Sequence, residues 1–120
     1  MSVSKKVSPE AALTAAMAPF GLPTTCIDVS VTTSSALLFA DAAVADGFGY
    51  RRVRIYNTDS SATLGIFLIA AGGTATGLVI ANSMKLGPGM VVDFSIKNNV
   101  RVSAVGSASL TANVFVEDIK

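Results

Sequence analysis

The sequence predicts an all-β fold: a small antiparallel β-sandwich or barrel-like domain, preceded by a short N-terminal arm with a helix. Three observations carry this. Apolar residues make up 51% of the chain but aromatics only 7%, and the rest is rich in Ser, Thr and Gly. That mixture suits strands and tight turns better than helical packing. From residue 24 onward, short runs alternating apolar and polar residues recur at regular spacing, as in a sandwich or small barrel. Clusters of Gly, Asn, Asp and Ser separate those runs and supply the turns. With 120 residues there is material for one core. The expected division is an arm over residues 1–23 and a sandwich over 24–120.

The arm comes first. Ser8-Pro9-Glu10 opens a helix, with Ser as N-cap, Pro at the first helical position and an acid near the positive end. Ala11 to Ala18 continues it, and Pro19, Gly21 and Pro23 end it. Its only sizeable apolar side chains are Leu13 and Met17. A helix of about two or three turns is marginal alone in water, so its apolar side must be held by something else, such as a neighbouring subunit. Lys5 and Lys6 resemble the start of a secretory signal, but Pro9, Glu10 and Thr14 interrupt any continuous apolar stretch.

The strands follow. Ile27 to Val31 alternates, and Ala36 to Ala40 is a second short apolar run. Asp46-Gly47-Phe48-Gly49 breaks the chain. Arg51 to Tyr56 alternates again: Val53 and Ile55 share a face with Arg51, while Arg52, Arg54 and Tyr56 share the other. Asn57 to Ser61 closes that strand. Leu86-Gly87-Pro88-Gly89-Met90 reads as a turn, and Val91 to Ile96 as a strand with Val92, Phe94 and Ile96 on one face. Asn98-Asn99 reads as a two-residue hairpin turn, since Asn tolerates positive φ. Val100 to Val105 is a further strand. In the last one Leu110, Ala112, Val114 and Val116 alternate, and Phe115 faces the other way.

One segment needs separate treatment. No charged residue lies between Asp59 and Lys85, a stretch long enough to raise a membrane helix, which needs about 20 mainly apolar residues. Ala70-Ala71-Gly72-Gly73-Thr74 interrupts its middle. Gly-Gly between two β-rich runs signals a hairpin instead, with Leu64 to Ile69 and Thr76 to Ile80 as its strands. No membrane partner is expected.

The composition argues against chemistry. There is no histidine, and the acids are scattered near predicted turns or at the ends. Asp41 and Asp46 lack the spacing of a calcium loop. The serines have no evident base, and the Gly pairs are not followed by the Lys-Ser/Thr of a phosphate loop. No enzyme, metal or cofactor is expected. Cys26 is the single cysteine, and with no basic neighbour in sequence it reads as a small buried hydrophobe. A formal net charge of +1 gives no long-range field to gather nucleic acid, and little repulsion to keep copies apart. Arg51-Arg52-x-Arg54 with Tyr56 is the one dense charged feature. Arginine and tyrosine are enriched in protein interfaces, and a solvated strand face or an internal ion pair is the plainer alternative.

The stretches "RRVRIYNTDSSATLGIFLI" and "MKLGPGMVVDFSIKNNVRVSAVGSASLTANVFVED" carry a resemblance. A strand with Ile-x-Asn, an apolar hairpin, a Leu-x-Pro-Gly turn and a last strand with alternating valines resemble small virion proteins of tailed bacteriophages, of the capsid decoration (cement) type. The resemblance spans Arg51 to Lys120 and leaves the N-terminus outside. It implies a non-enzymatic β-sandwich on the capsid surface of a virion, made in the host bacterial cytoplasm. Its partners would be the major capsid protein and itself, as a homotrimer, without nucleic acid. An extended N-terminal arm reaching a neighbour would suit it. The candidate protein-interface residues are Lys5, Lys6, Leu13, Met17, Arg51, Arg52, Arg54 and Tyr56. The alternative is a binding module of a phage tail, spike or head fibre that recognises the host surface. That reading ranks second because sugar sites favour exposed aromatics, and tryptophan is absent.

Overall fold

The computed structural model describes residues 26–119. Eight strands follow one another: β1 (Ile27–Val31), β2 (Ala36–Leu37), β3 (Tyr50–Asn57), β4 (Leu64–Ile69), β5 (Met84–Leu86), β6 (Val91–Lys97), β7 (Arg101–Gly106) and β8 (Leu110–Ile119). They form two antiparallel four-stranded sheets, ordered β1-β8-β3-β6 and β2-β7-β4-β5. The pairings β1 with β8, β2 with β7, β3 with β6 and β4 with β5 are nested, which is the order of a jelly roll. The expected all-β sandwich is the fold.

The alternation read from sequence decides what fills the middle. Val53 and Ile55 of β3 stand opposite Val116 and Val114 of β8, and across the core they meet Leu64 and Ile66 of β4 and Val102 and Ala104 of β7. These side chains are branched or small, so the layers approach closely without aromatic bulk. Phe39, Phe94 and Val92 pack against the rim of this cluster.

The structure departs from the expected hairpins. The Asn98-Asn99 turn joins β6 to β7, which lie in different sheets, so it is a crossover. Neither Asn has positive φ, and the turn is tied down instead by Gly47 N–H donating to Asn98 Oδ1 at 2.6 Å. The run Thr76 to Ile80 is not a strand. The partner of β4 is β5, in the register Leu64 to Leu86 and Ile66 to Met84. The chain between them turns at Gly72, whose φ is +76°, and passes over the outer face of the second sheet, with a 3-10 turn at Ile80–Asn82.

The charge-free stretch is buried only in part: Ala62, Leu64, Ile66 and Ala75 are covered, while Leu68, Val79 and Met84 are exposed. Ser103 lies on the outer face of β7 yet is fully buried, with its hydroxyl 2.6 Å from the carbonyl of Ala75. Arg101 Nη1 donates to the Gly73 carbonyl at 2.6 Å, and Leu78 N–H donates to Ser35 Oγ at 2.9 Å. Gly65 makes room: a Cβ there would collide with Ser83 and lie 2.9 Å from Ile80. Among the described residues, no helix is long and apolar enough to cross a membrane. Cys26, expected as a buried hydrophobe, is exposed, because it precedes an edge strand and lies outside the sandwich.

Candidate interaction surface

The predicted arginine cluster is divided by the pleat of β3. Arg51 faces inward and is buried. Its Nε donates to Asp118 Oδ1 at 2.9 Å and its Nη1 to the Ala40 carbonyl at 3.0 Å. Its guanidinium also sits 5.1 Å from the centre of the Phe39 ring, a distance suited to a cation–π contact. These contacts close one end of the sandwich and fix the segment after β2. Asp118 is 67 positions away in sequence, so no local pattern announced this partner.

Arg52 and Arg54 face outward, together with Tyr50 and Tyr56. Both guanidiniums reach Asp93 on β6: Arg52 Nη2 donates at 3.0 Å and Arg54 Nη2 at 2.8 Å, to the same carboxylate oxygen. The hydrogen bond from Arg52, then that from Arg54, holds the Asp93 carboxyl below its ordinary range. The outer face of the first sheet thus has a charged centre between two apolar ends. One end carries Tyr56 opposite Val91, with Met90 beside it, all exposed. The other carries Tyr50, opposite Ile119, and the exposed Val44 and Phe48 of the loop before β3. Phe48 is 87% exposed. A cleft of about 520 Å³ opens there, lined in part by Val44, Phe48, Tyr50 and Ile119.

The loop acids have structural tasks. Asp46 accepts from Phe48 N–H and from Asn98 Nδ2; the Asn98 bond chiefly, then that of Phe48, lowers its pKa. Asp41 accepts from Arg101 Nε at 3.1 Å. Among the described residues, no three of His, Cys, Asp and Glu are grouped to hold a metal. The predicted interface residues Lys5, Lys6, Leu13 and Met17 lie outside the described residues. Sequence reading passed over Val44 and Phe48 of the loop before β3 and Val91 at the start of β6, whose exposure depends on what the fold places at each end of the sheet.

A β-sandwich of nested strands, with exposed aromatic and apolar side chains at the ends of one sheet, is the class of protein these observations define. No family model matches the chain, and no curated protein matches it. Its fold is similar to a solved structure from work on Bacillus endospore appendages, described there as "a novel family of disulfide-linked pili". The TM-score is 0.59 at 19% identity, over 80% of this chain and 83% of that one. At that identity the likeness is one of fold.

Proposed function

We propose that this protein is a non-enzymatic structural subunit of a tailed-phage virion. It decorates the capsid, where it binds the major capsid protein and stabilises the assembled head. The observation that carries this reading is the outer row Tyr50, Arg52, Arg54 and Tyr56 on β3, flanked by exposed Phe48 and Val91. Arginine and tyrosine beside exposed apolar side chains are the composition of a protein interface. The resemblance of Arg51 to Lys120 to decoration proteins supports the location, and many modest contacts on a lattice add up when each unit is multivalent. A homotrimer is the proposed unit.

The second reading is a subunit of a fibre, spike or tail, and the fold shared with a pilus protein favours it. One property limits how far it extends. With one cysteine per chain, a copy can form one bridge, so disulfides would join copies in pairs and never in a continuous series.

Two measurements test the proposal. Light scattering in detergent-free buffer is expected to give a discrete trimer. Expanded capsid shells of the encoding phage are then expected to retain the protein on sedimentation and to resist heating better with it bound. Shells that neither retain it nor gain heat resistance would reject the decoration role and move weight to the fibre reading.

A further inference from the structure

The first sheet ends on a strand with one open side. β6 pairs with β3, and among the described residues nothing pairs with its other edge. With seven residues it is the longest of the edge strands: β1 has five, β5 three and β2 two. Hydrogen bonds at both ends of the β3–β6 ladder fix which way its main chain points. Asn57 N–H donates to the Met90 carbonyl, Gly89 N–H to the Asn57 carbonyl and Asn98 N–H to the Gly49 carbonyl, each at 2.9 Å. Bonded and non-bonded pairs alternate along an antiparallel ladder. Between those ends the bonded pairs are therefore Ile55–Val92, Val53–Phe94 and Arg51–Ile96. The N–H and C=O groups of Val91, Asp93, Ser95 and Lys97 point the other way, to the open edge, and the side chains of these four are exposed.

Such an edge is a template for another strand, and this one carries no proline. Its side chains are self-complementary. Asp93 and Lys97 are its charged residues, of opposite sign and on the same outer face. Set two copies of β6 antiparallel with Ser95 opposite Ser95, and each Asp93 lies opposite Lys97 of the second copy. These are positions whose main-chain groups face the open edge, so hydrogen bonds and charges match in one register. Asp93 Oδ2 takes the shorter bonds from the two arginines. Its Oδ1 accepts from Arg52 Nε at 3.3 Å, which leaves a lone pair for an ammonium. The Lys97 carbonyl accepts from Val100 N–H at 3.0 Å and keeps its second lone pair for Asp93 N–H of the second copy. On the inner face the same register sets Phe94, only partly buried at the rim of the core, against Ile96 of the second copy. Sliding by two residues, the next shift that keeps the faces aligned, puts Asp93 opposite Ser95 or Asn99 and loses the charge match.

We propose that β6 pairs with β6 of a second copy about a two-fold axis at Ser95, so that the first sheet runs on from one copy into the other. The two Asp93–Lys97 pairs set the register. The contact is isologous and cannot close a trimer, so it joins one proposed trimer to the next, or two single chains where no trimer forms. A contact of two strands is small beside the roughly 1,200–2,000 Å² of a standard interface. Association through it therefore depends on concentration, and it counts most where copies are already held side by side. This inference does not rest on the capsid role.

The test combines amide hydrogen exchange with sedimentation of the full chain over a range of concentrations. Exchange at Ser95 and Lys97 is expected to slow as concentration and mass rise together. Val92 and Phe94, whose amides already bond β3, serve as the unchanging reference. Ser95→Pro removes an outward N–H and no bond of the β3–β6 ladder. It is expected to keep the melting temperature within a few degrees and to weaken the association at least about tenfold. Lys97→Asp leaves the main chain alone and sets like charges opposite each other, with a similar loss expected. Ser95 and Lys97 amides that exchange equally fast at every concentration would overturn the proposal, and a trimer found with such amides would still stand as a trimer. Association that survives both substitutions would overturn it as well. Association lost in Ser95→Pro but kept in Lys97→Asp would overturn the register.

Discussion

At the scale of single residues, Asn57 does more than close a strand. It is fully buried at the end of β3. Its Nδ2 donates to the carbonyls of Ala62 and Leu86, at 2.9 and 3.0 Å, and its Oδ1 accepts from Asp59 N–H at 3.0 Å. One side chain therefore ties β3, the loop after it and the end of β5. Asn57→Ala would leave buried groups unpaired, each at a cost of about 1–3 kcal/mol, and a loss of roughly 2–4 kcal/mol in urea unfolding is expected. Asp93 gives a pH signature. Its folded pKa is lowered from 3.8 by Arg52 and then Arg54, so the unfolded chain binds the proton more readily. The stabilisation is present above pH 3.8 and fades as the pH falls through the lowered folded value. The pair is partly exposed, so Asp93→Asn is expected to cost at most about 1 kcal/mol at pH 7. Denaturation curves of the two proteins should converge at acid pH. A difference unchanged at low pH would assign the effect to something other than charge.

Among the elements, the passage from Ala70 to Ser83 shows what the sequence disclosed and what it withheld. Several strands were legible because one face of each is wetter than the other: β1, β3 and β6 fall where the alternation placed them, and β4 falls where the apolar run before Gly72-Gly73 placed it. Thr76 to Ile80 has strand-like composition, yet it serves as cover. The reason lies on other elements, in Gly65, Ser103 and Arg101, whose outward positions accept it. Local composition cannot reveal which face of a distant sheet needs covering. The same limit applied to Arg51, whose alternation gave its face but not its partner Asp118, and to Asn98-Asn99, where a turn was read correctly but neither its negative φ angles nor the change of sheet was visible. Gly65→Ala puts a methyl group against Ser83 and Ile80. A loss of about 1–3 kcal/mol is expected, with faster amide exchange at Leu78 and Asn82. Exchange unchanged at those amides would mean that the cover is not held by this contact.

For the whole molecule, the exposed side chains at the two ends of the outer row of β3 are where assembly is expected to act. Arg54→Glu combined with Tyr56→Ser should leave the core intact, since both side chains lie outside it. The variant is expected to keep most of its thermal stability while losing at least tenfold in affinity for capsid shells, or in trimer formation. Loss of stability in parallel with binding would instead assign these residues to the fold.

The nested strand order also has a kinetic consequence. β8 is the central neighbour of both β1 and β3, yet of the eight strands it is synthesised last. Roughly fifty residues separate the end of β3 from the start of β8, several seconds of translation at ~5–20 residues per second. During that interval the ribosome carries β1, and the edge of β3 that β8 will take, with their main-chain groups unmatched. Such pairing of remote segments is slow in any case. A nascent chain stalled before Leu110 should therefore be bound by chaperones and cut readily by protease, and resistance should arise in one step once β8 has emerged.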